Sequence, residues 1–195
     1  WPTALLGRFK AEFLELPPEV LITSMKVHQR CFPLVNDKSE LQPYFVLVSN
    51  IESKNPHTVI QGNERVINAR LADASFFYDN DLRTTLESRL KKLAAVVFQR
   101  QLGTLADKAR RIAKLAGEIA RRLDLKDEKS VQRGGLLAKC DLVSEMVNEF
   151  PALQGVMGYY YALNDKEPTE IAVTIKEHYQ PKFSGDALPS TTAAL

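Results

Sequence analysis

A chain of 195 residues with 45% apolar and 26% charged residues has the balance of a globular protein, long enough to bury the core of one domain or of two small ones. No apolar run approaches the roughly 18 residues of a membrane-spanning helix, and no signal-peptide pattern opens the sequence, which argues against a membrane partner. The net charge of +2 conceals an uneven distribution. From Arg83 to Lys126 there are twelve Lys and Arg against four Asp and Glu, a basic block beside acidic flanks. Such a block raises nucleic acid or another polyanion as a partner; the plainer reading is a solvated helix face.

Cys31 and Cys140 lie far apart and form no CxxC or Cys/His cluster, which predicts buried thiols in a reducing compartment. The sequence begins with Trp1 rather than Met and stops in the turn-like "SGDALPSTTAAL", and both features predict a piece of something larger.

In chain order, residues 1–16 are short apolar clusters broken by Gly7 and by Pro17-Pro18. "PPEVLITSMKVHQ" predicts a helix, with Pro18 in the first turn and Glu19 at the positive end of the dipole. "CFPLVN" and "YFVLVSN", separated by "DKSELQP", predict a hairpin with a longer loop, so the N-terminal part is α+β. A short strand "TVI" is expected next, and then a helix capped by Asn63, with Val66, Ile67, Leu71 and Ala74 as its apolar face. Everything from about residue 82 onward is expected to be helical. Leu86, Leu90, Leu93 and Val97 mark one amphipathic stripe; Leu105, Ala109, Ile112, Ala116, Ile119 and Leu123 mark a second. Lys108, Arg111 and Lys114, spaced three apart, share one side of that second helix, and Arg121 and Arg122 also fall largely off its stripe. Leu136, Cys140, Val143 and Val147 predict a third helix, and "PTEIAVTIKEHY" a last one closed by Pro181.

His28, at a helix end, His57, in a turn after Pro56, and His178, at the end of the last helix, are too scattered for a catalytic site and read as surface or capping residues. The P-loop, GxGxxG, HExxH and GxSxG patterns are all missing from the sequence. Gly155 and Gly158 in "QGVMGYYYA" read as sites of close helix packing in preference to phosphate binding. "AKCDL" is expected mid-helix, at a place where metal-dependent phosphohydrolases of the HD class carry adjacent His and Asp. Cys140 stands where the imidazole would be, so Cys140 and Asp141 form a degenerate HD position. Asp141 is then expected to hold a hydrogen-bond network between helices, with no metal ligand and no catalytic residue assigned.

The blocks "MKVHQRCFPLV", "FVLVSNI", "VIQGNERVINARLADASFFYDND", "VVFQRQLGTLADKARRI", "LAKCDLVSEMVNEFPALQGVMG" and "IKEHYQPKFSGDALPST" occur in that order. Together, from about Gly7 to Thr191, they resemble the beta subunit of the bacterial heterotetrameric glycyl-tRNA synthetase. The resemblance implies an internal segment of that subunit: an α+β module over 1–61, a linking helix over 62–81, and the first part of an all-α, HD-like helical domain over 82–195. It implies a cytoplasmic, α2β2 ligase that uses ATP and Mg through its alpha subunit, which forms glycyl-adenylate; no cofactor is assigned to this segment. The segment's partners would be the alpha subunit and tRNA(Gly), with Lys91, Lys92, Lys108, Arg111 and Lys114 as candidate tRNA contacts. On the linking helix, Phe76 and Phe77 are expected to be buried, and Arg65 and Arg70 to meet Asp73, Asp79 or Asp81, or else the tRNA backbone. Two departures stand out: Tyr159 in "GYYYA" where the family has arginine, and Cys140 in "KCDL" where it has alanine. The other readings are a metal-dependent HD-type phosphohydrolase and a structural spacer that docks the alpha subunit.

Overall fold

The computed structural model describes residues 1–125 and 127–194, so Lys126 of the basic block lies outside the described residues. They form two compact units, Trp1–Asp79 and Asn80–Leu195, in a predominantly helical α+β arrangement.

The first unit is built on an antiparallel sheet of order β1-β3-β2, with β1 over Thr3–Arg8, β2 over Phe32–Val35 and β3 over Leu41–Ser49. The predicted hairpin is β2–β3. Its connection is pinned by Asn36, whose side-chain oxygen accepts from the amides of Lys38 and Glu40 at 3.0 and 2.9 Å. Gly7 pairs with Phe45, and a Cβ at Gly7 would stand 2.4 Å from the Phe45 ring, so only glycine lets that ring lie across β1. The predicted first helix is α1, Pro18–Thr23, continued by a π-helical turn over Ser24–His28; it buries Val20, Leu21 and Met25. Cys31 is a free, buried thiol, as expected.

The next helix, α2, spans Pro56–Leu82, seven residues earlier than the Asn63 cap predicts. "TVI" is helix, not strand, and His57 sits in the first helical turn beside Gln61, not in a turn. Asn55 supplies the cap to Thr58, and Pro56 fits the first position, where a missing amide costs nothing; this start signal outweighs the β-branched run behind it. Asn63 instead donates its amide to the Val59 carbonyl at 2.8 Å. Of the predicted apolar face, Ile67, Leu71 and Ala74 are buried at helical spacing, whereas Val66 is exposed. Phe76, expected to be buried, is exposed and meets Phe77 edge to face.

The second unit is not wholly helical. The first predicted stripe breaks after α3, Leu90–Leu93: Leu86 and Leu93 are buried, but Val97 is exposed in a short hairpin of β4, Val97–Gln99, and β5, Gly103–Thr104. Gly103, at a φ of 85°, makes the return possible. Thr104 then opens α4, Leu105–Arg122, through a reciprocal capping box with Asp107, close to the predicted span. α5, Glu128–Leu137, lies against α4 with Gly135 facing the Ala113 backbone. The third predicted helix is three pieces: α5 ends at Leu137, a 3-10 turn covers Cys140–Val143, and α6 runs Glu145–Glu149. "AKCDL" therefore lies in a connection between helices, not mid-helix. Gly155, at a φ of 82°, caps α7, Val156–Asn164, and α8, Thr169–Glu177, is the predicted last helix.

Candidate nucleic-acid interface

Among the described basic residues of the block, Arg89 is the one that is fully buried. It is 2% exposed, its guanidinium 3.2 Å from the Asp81 carboxylate and 4.6 Å above the Tyr161 ring. Asp81 also accepts from the backbone amides of Glu145 and Met146 at the start of α6, at 3.1 and 3.0 Å, and from the Tyr161 hydroxyl at 2.8 Å. Asp81, one of the acids expected to meet Arg65 or Arg70, is thus engaged by Arg89. The signal for Arg89 was in the spacing: Leu86, Arg89 and Leu93 fall at i, i+3 and i+7, so the arginine sits on the buried stripe itself.

On α4 the cations divide into paired and unpaired. Arg110 pairs with Asp107 at 3.1 Å, Arg121 with Glu118 at 2.8 Å and with Glu128 at 2.6 Å, and Arg122 with Glu118 at 3.1 Å. Exposed pairs of this kind contribute up to about 1 kcal/mol each, but they neutralise part of the surplus that the sequence count suggests. Arg111 and Lys114 are exposed and make no ion pair among the described residues, and the same holds for Lys91 and Lys92 on α3. Lys108 is different. Its ammonium lies 3.8 Å from the centre of the Phe98 ring, and its side chain lines a cavity between α4, α5 and α8. Four of the five candidate cations are therefore left to solvent, and the fifth turns towards an apolar wall.

Asp141, expected with Cys140 to form a degenerate HD position, is a buried carboxylate at the start of α7. One Asp141 oxygen accepts from the Gly155 and Gly158 amides at 2.5 and 3.1 Å, while the other has no partner among the described residues. A Cβ at Gly158 would stand 2.6 Å from Ile175, so the close packing expected of these glycines is also what delivers the amide to Asp141. Burial drives the Asp141 carboxyl up to about 6, against the two glycine amides that favour its charged form. Cys140 is fully buried, and burial pushes its thiol up to about 12. No group of three His, Cys, Asp or Glu suited to a metal ion occurs among the described residues. His178, expected at the surface or as a cap, is the C-cap of α8, with its Nδ1 2.7 Å from the Ile175 carbonyl and its Nε2 2.7 Å from Lys139 Nζ. No helix among the described residues is long and apolar enough to cross a membrane.

The sequence model described as the glycyl-tRNA synthetase beta subunit matches residues 1–195. Three relatives bear the name glycine–tRNA ligase beta subunit. That of Coxiella burnetii is 72% identical over 189 residues, covering 97% of this chain and 27% of the relative. That of Hahella chejuensis is 54% identical over 191 residues, covering 98% and 28%, and that of Chromohalobacter salexigens 53% over 195 residues, covering 100% and 28%. The chain thus spans little more than a quarter of the length of these relatives. With the whole sequence matched and such identities sustained across it, the chain belongs to the glycyl-tRNA synthetase beta subunit family.

Proposed function

We propose that this chain is a segment of a glycine–tRNA ligase beta subunit that contributes tRNA binding and assembly to the ATP-dependent glycylation of tRNA(Gly) in the cytoplasm. The adenylate-forming site, with its ATP and Mg, belongs on the alpha subunit of an α2β2 enzyme. The observation that carries the reading is the set of solvated cations, Lys91, Lys92, Arg111 and Lys114, left without ion pairs while their neighbours on α4 are paired. Unpaired surface cations attract phosphate without reading sequence, so this segment adds affinity, and discrimination lies elsewhere in the enzyme.

The helical unit is HD-like in this reading, with its catalytic position given over to structure. The favoured Asp141 oxygen is committed to two helix amides and its thiol neighbour is buried, so the pair is poorly disposed to hold a divalent ion in a phosphohydrolase site.

The test is Arg111→Glu with Lys114→Glu in the whole enzyme. The KM for tRNA should rise, and its salt slope should fall by about one for each phosphate that is no longer neutralised. The KM for ATP and that for glycine should stay nearly unchanged. A folded double variant with unaltered tRNA affinity and salt dependence would reduce these residues to a solvated face.

A further inference from the structure

The second unit holds an open cavity of about 540 Å³ lined by α4, α5, α8 and the tail residues Thr192, Ala193 and Ala194, and its wall on α4 is largely apolar. Leu115, Ile119 and Leu123 recur every fourth residue along it and remain 61%, 47% and 64% exposed. Three such side chains in line extend over about two helical turns, roughly 12 Å. A contiguous apolar groove of that kind on an otherwise charged helix marks a contact surface, because each large aliphatic side chain gains about 1.5–3 kcal/mol on burial.

The same cavity contains a cation without a counter-ion. Lys139 is only 8% exposed, yet no carboxylate lies within ion-pairing distance among the described residues. Its ammonium meets His178 Nε2 at 2.7 Å and the face of Tyr179 at 3.7 Å, while Lys108 of α4, which lines the same cavity, repels it. Asp141 acts on it only at longer range. Burial lowers the Lys139 amine to about 8, the mark of a desolvated ammonium that lacks its partner. Isolated buried charges cost several kcal/mol, and a carboxylate brought to this spot would relieve that cost.

We infer that the groove is the seat of an amphipathic helix of the same beta-subunit polypeptide, its apolar face on Leu115, Ile119 and Leu123 and an Asp or Glu at one end reaching Lys139 and Lys108. This rests on reading the chain as a segment of a longer beta subunit, whose relatives carry nearly three quarters of their length outside the matched region. A segment on the same polypeptide docks without the full cost of bimolecular association, so a short two-turn contact suffices.

The experiment uses the assembled alpha–beta enzyme, prepared with a mixture of 14N- and 15N-labelled beta subunits. A carbodiimide joins contacting amines and carboxylates without a spacer, and mass spectrometry identifies what Lys139 is joined to. The expected product links Lys139 to an Asp or Glu outside these 195 residues, with both peptides carrying one isotope. In parallel, Ile119→Cys in the same assembly should react with a maleimide at least tenfold more slowly than Lys114→Cys on the solvent face of the same helix. A mixed-isotope product, a product with the alpha subunit, or equal labelling rates at the two cysteines would each overturn the inference. Slow labelling at Ile119→Cys with Lys139 joined to the alpha subunit would assign the groove to that partner instead. None of these readouts depends on tRNA affinity, so failure here is distinct from failure of the tRNA-binding reading.

Discussion

Asp81 and Asp141 are both buried carboxylates at the start of a helix, and the second unit solves the two problems differently. Asp81 receives two amides of α6, the Tyr161 hydroxyl and the Arg89 guanidinium. Asp141 receives the amide of the α7 cap Gly155 and that of Gly158 in its first turn through one oxygen, and its other oxygen has no partner among the described residues. Helix amides alone offer partial positive charge, equivalent to about half an elementary charge spread over the first turn. That suffices to orient a carboxyl but does not offset the cost of burying its charge. The first acid has a full counter-charge beside it, whereas burial raises the carboxyl of the second to about 6.

The largest expected effect tests the ion pair. Arg89→Met keeps most of the bulk under Tyr161 but strands Asp81 without its cation, and should cost about 3–5 kcal/mol, read as a fall in the urea midpoint. A loss below about 1 kcal/mol would mean that the amides and hydroxyl alone hold Asp81, and the contrast with Asp141 would disappear.

Asp141→Asn should behave in the opposite sense. The folded carboxyl titrates near 6 against an ordinary value of 3.8, so burial favours the protonated form. Its contribution is fully present below about pH 3.8 and is lost as pH rises through 6, a difference of about 3 kcal/mol. Asparagine stays neutral throughout. Relative to the native chain, the variant should therefore gain stability steadily between pH 4 and pH 7, as urea midpoints measured across that range will record. A pH-independent difference would place the carboxyl in the ordinary range.

The smallest effect is that of Tyr161→Phe. It removes one donor to Asp81 and leaves the guanidinium over the ring, so a loss of about 1–3 kcal/mol is expected, smaller than that of Arg89→Met. Combining the two changes should give less than the sum of the single losses, because both act on one carboxylate.

Much of this was legible in the sequence where a local signal was strong. The stripe from Leu105 to Leu123 marks α4, and the β-rich runs on either side of "DKSELQP" mark the β2–β3 hairpin. Errors came where two local signals competed. At Asn55-Pro56 a helix start prevailed over a β-branched run, and at Val97 an apolar stripe crossed into a hairpin whose return depends on Gly103. The candidate site was readable only in part, since the number of cations can be counted but their pairing depends on which rotamer meets which acid. Arg110 and Arg111 are adjacent in sequence; one is paired and the other is not. Tyr161 and Asp81, eighty positions apart, offered no local pattern that would join them.

The rim of the first unit's sheet bears on whether the chain can pair with other molecules through its edges. β1 is an edge strand, and an edge with free amides is a template for strands of other molecules. Glu64 takes the Arg8 amide and Asn68 takes the Lys10 amide, each at 2.9 Å, while β2, on the opposite rim, carries Pro33, which has no amide to offer. Both margins are thereby blunted from within the unit itself. Two polar side chains and a proline thus withdraw from these rims pairing groups that a strand of another molecule would need.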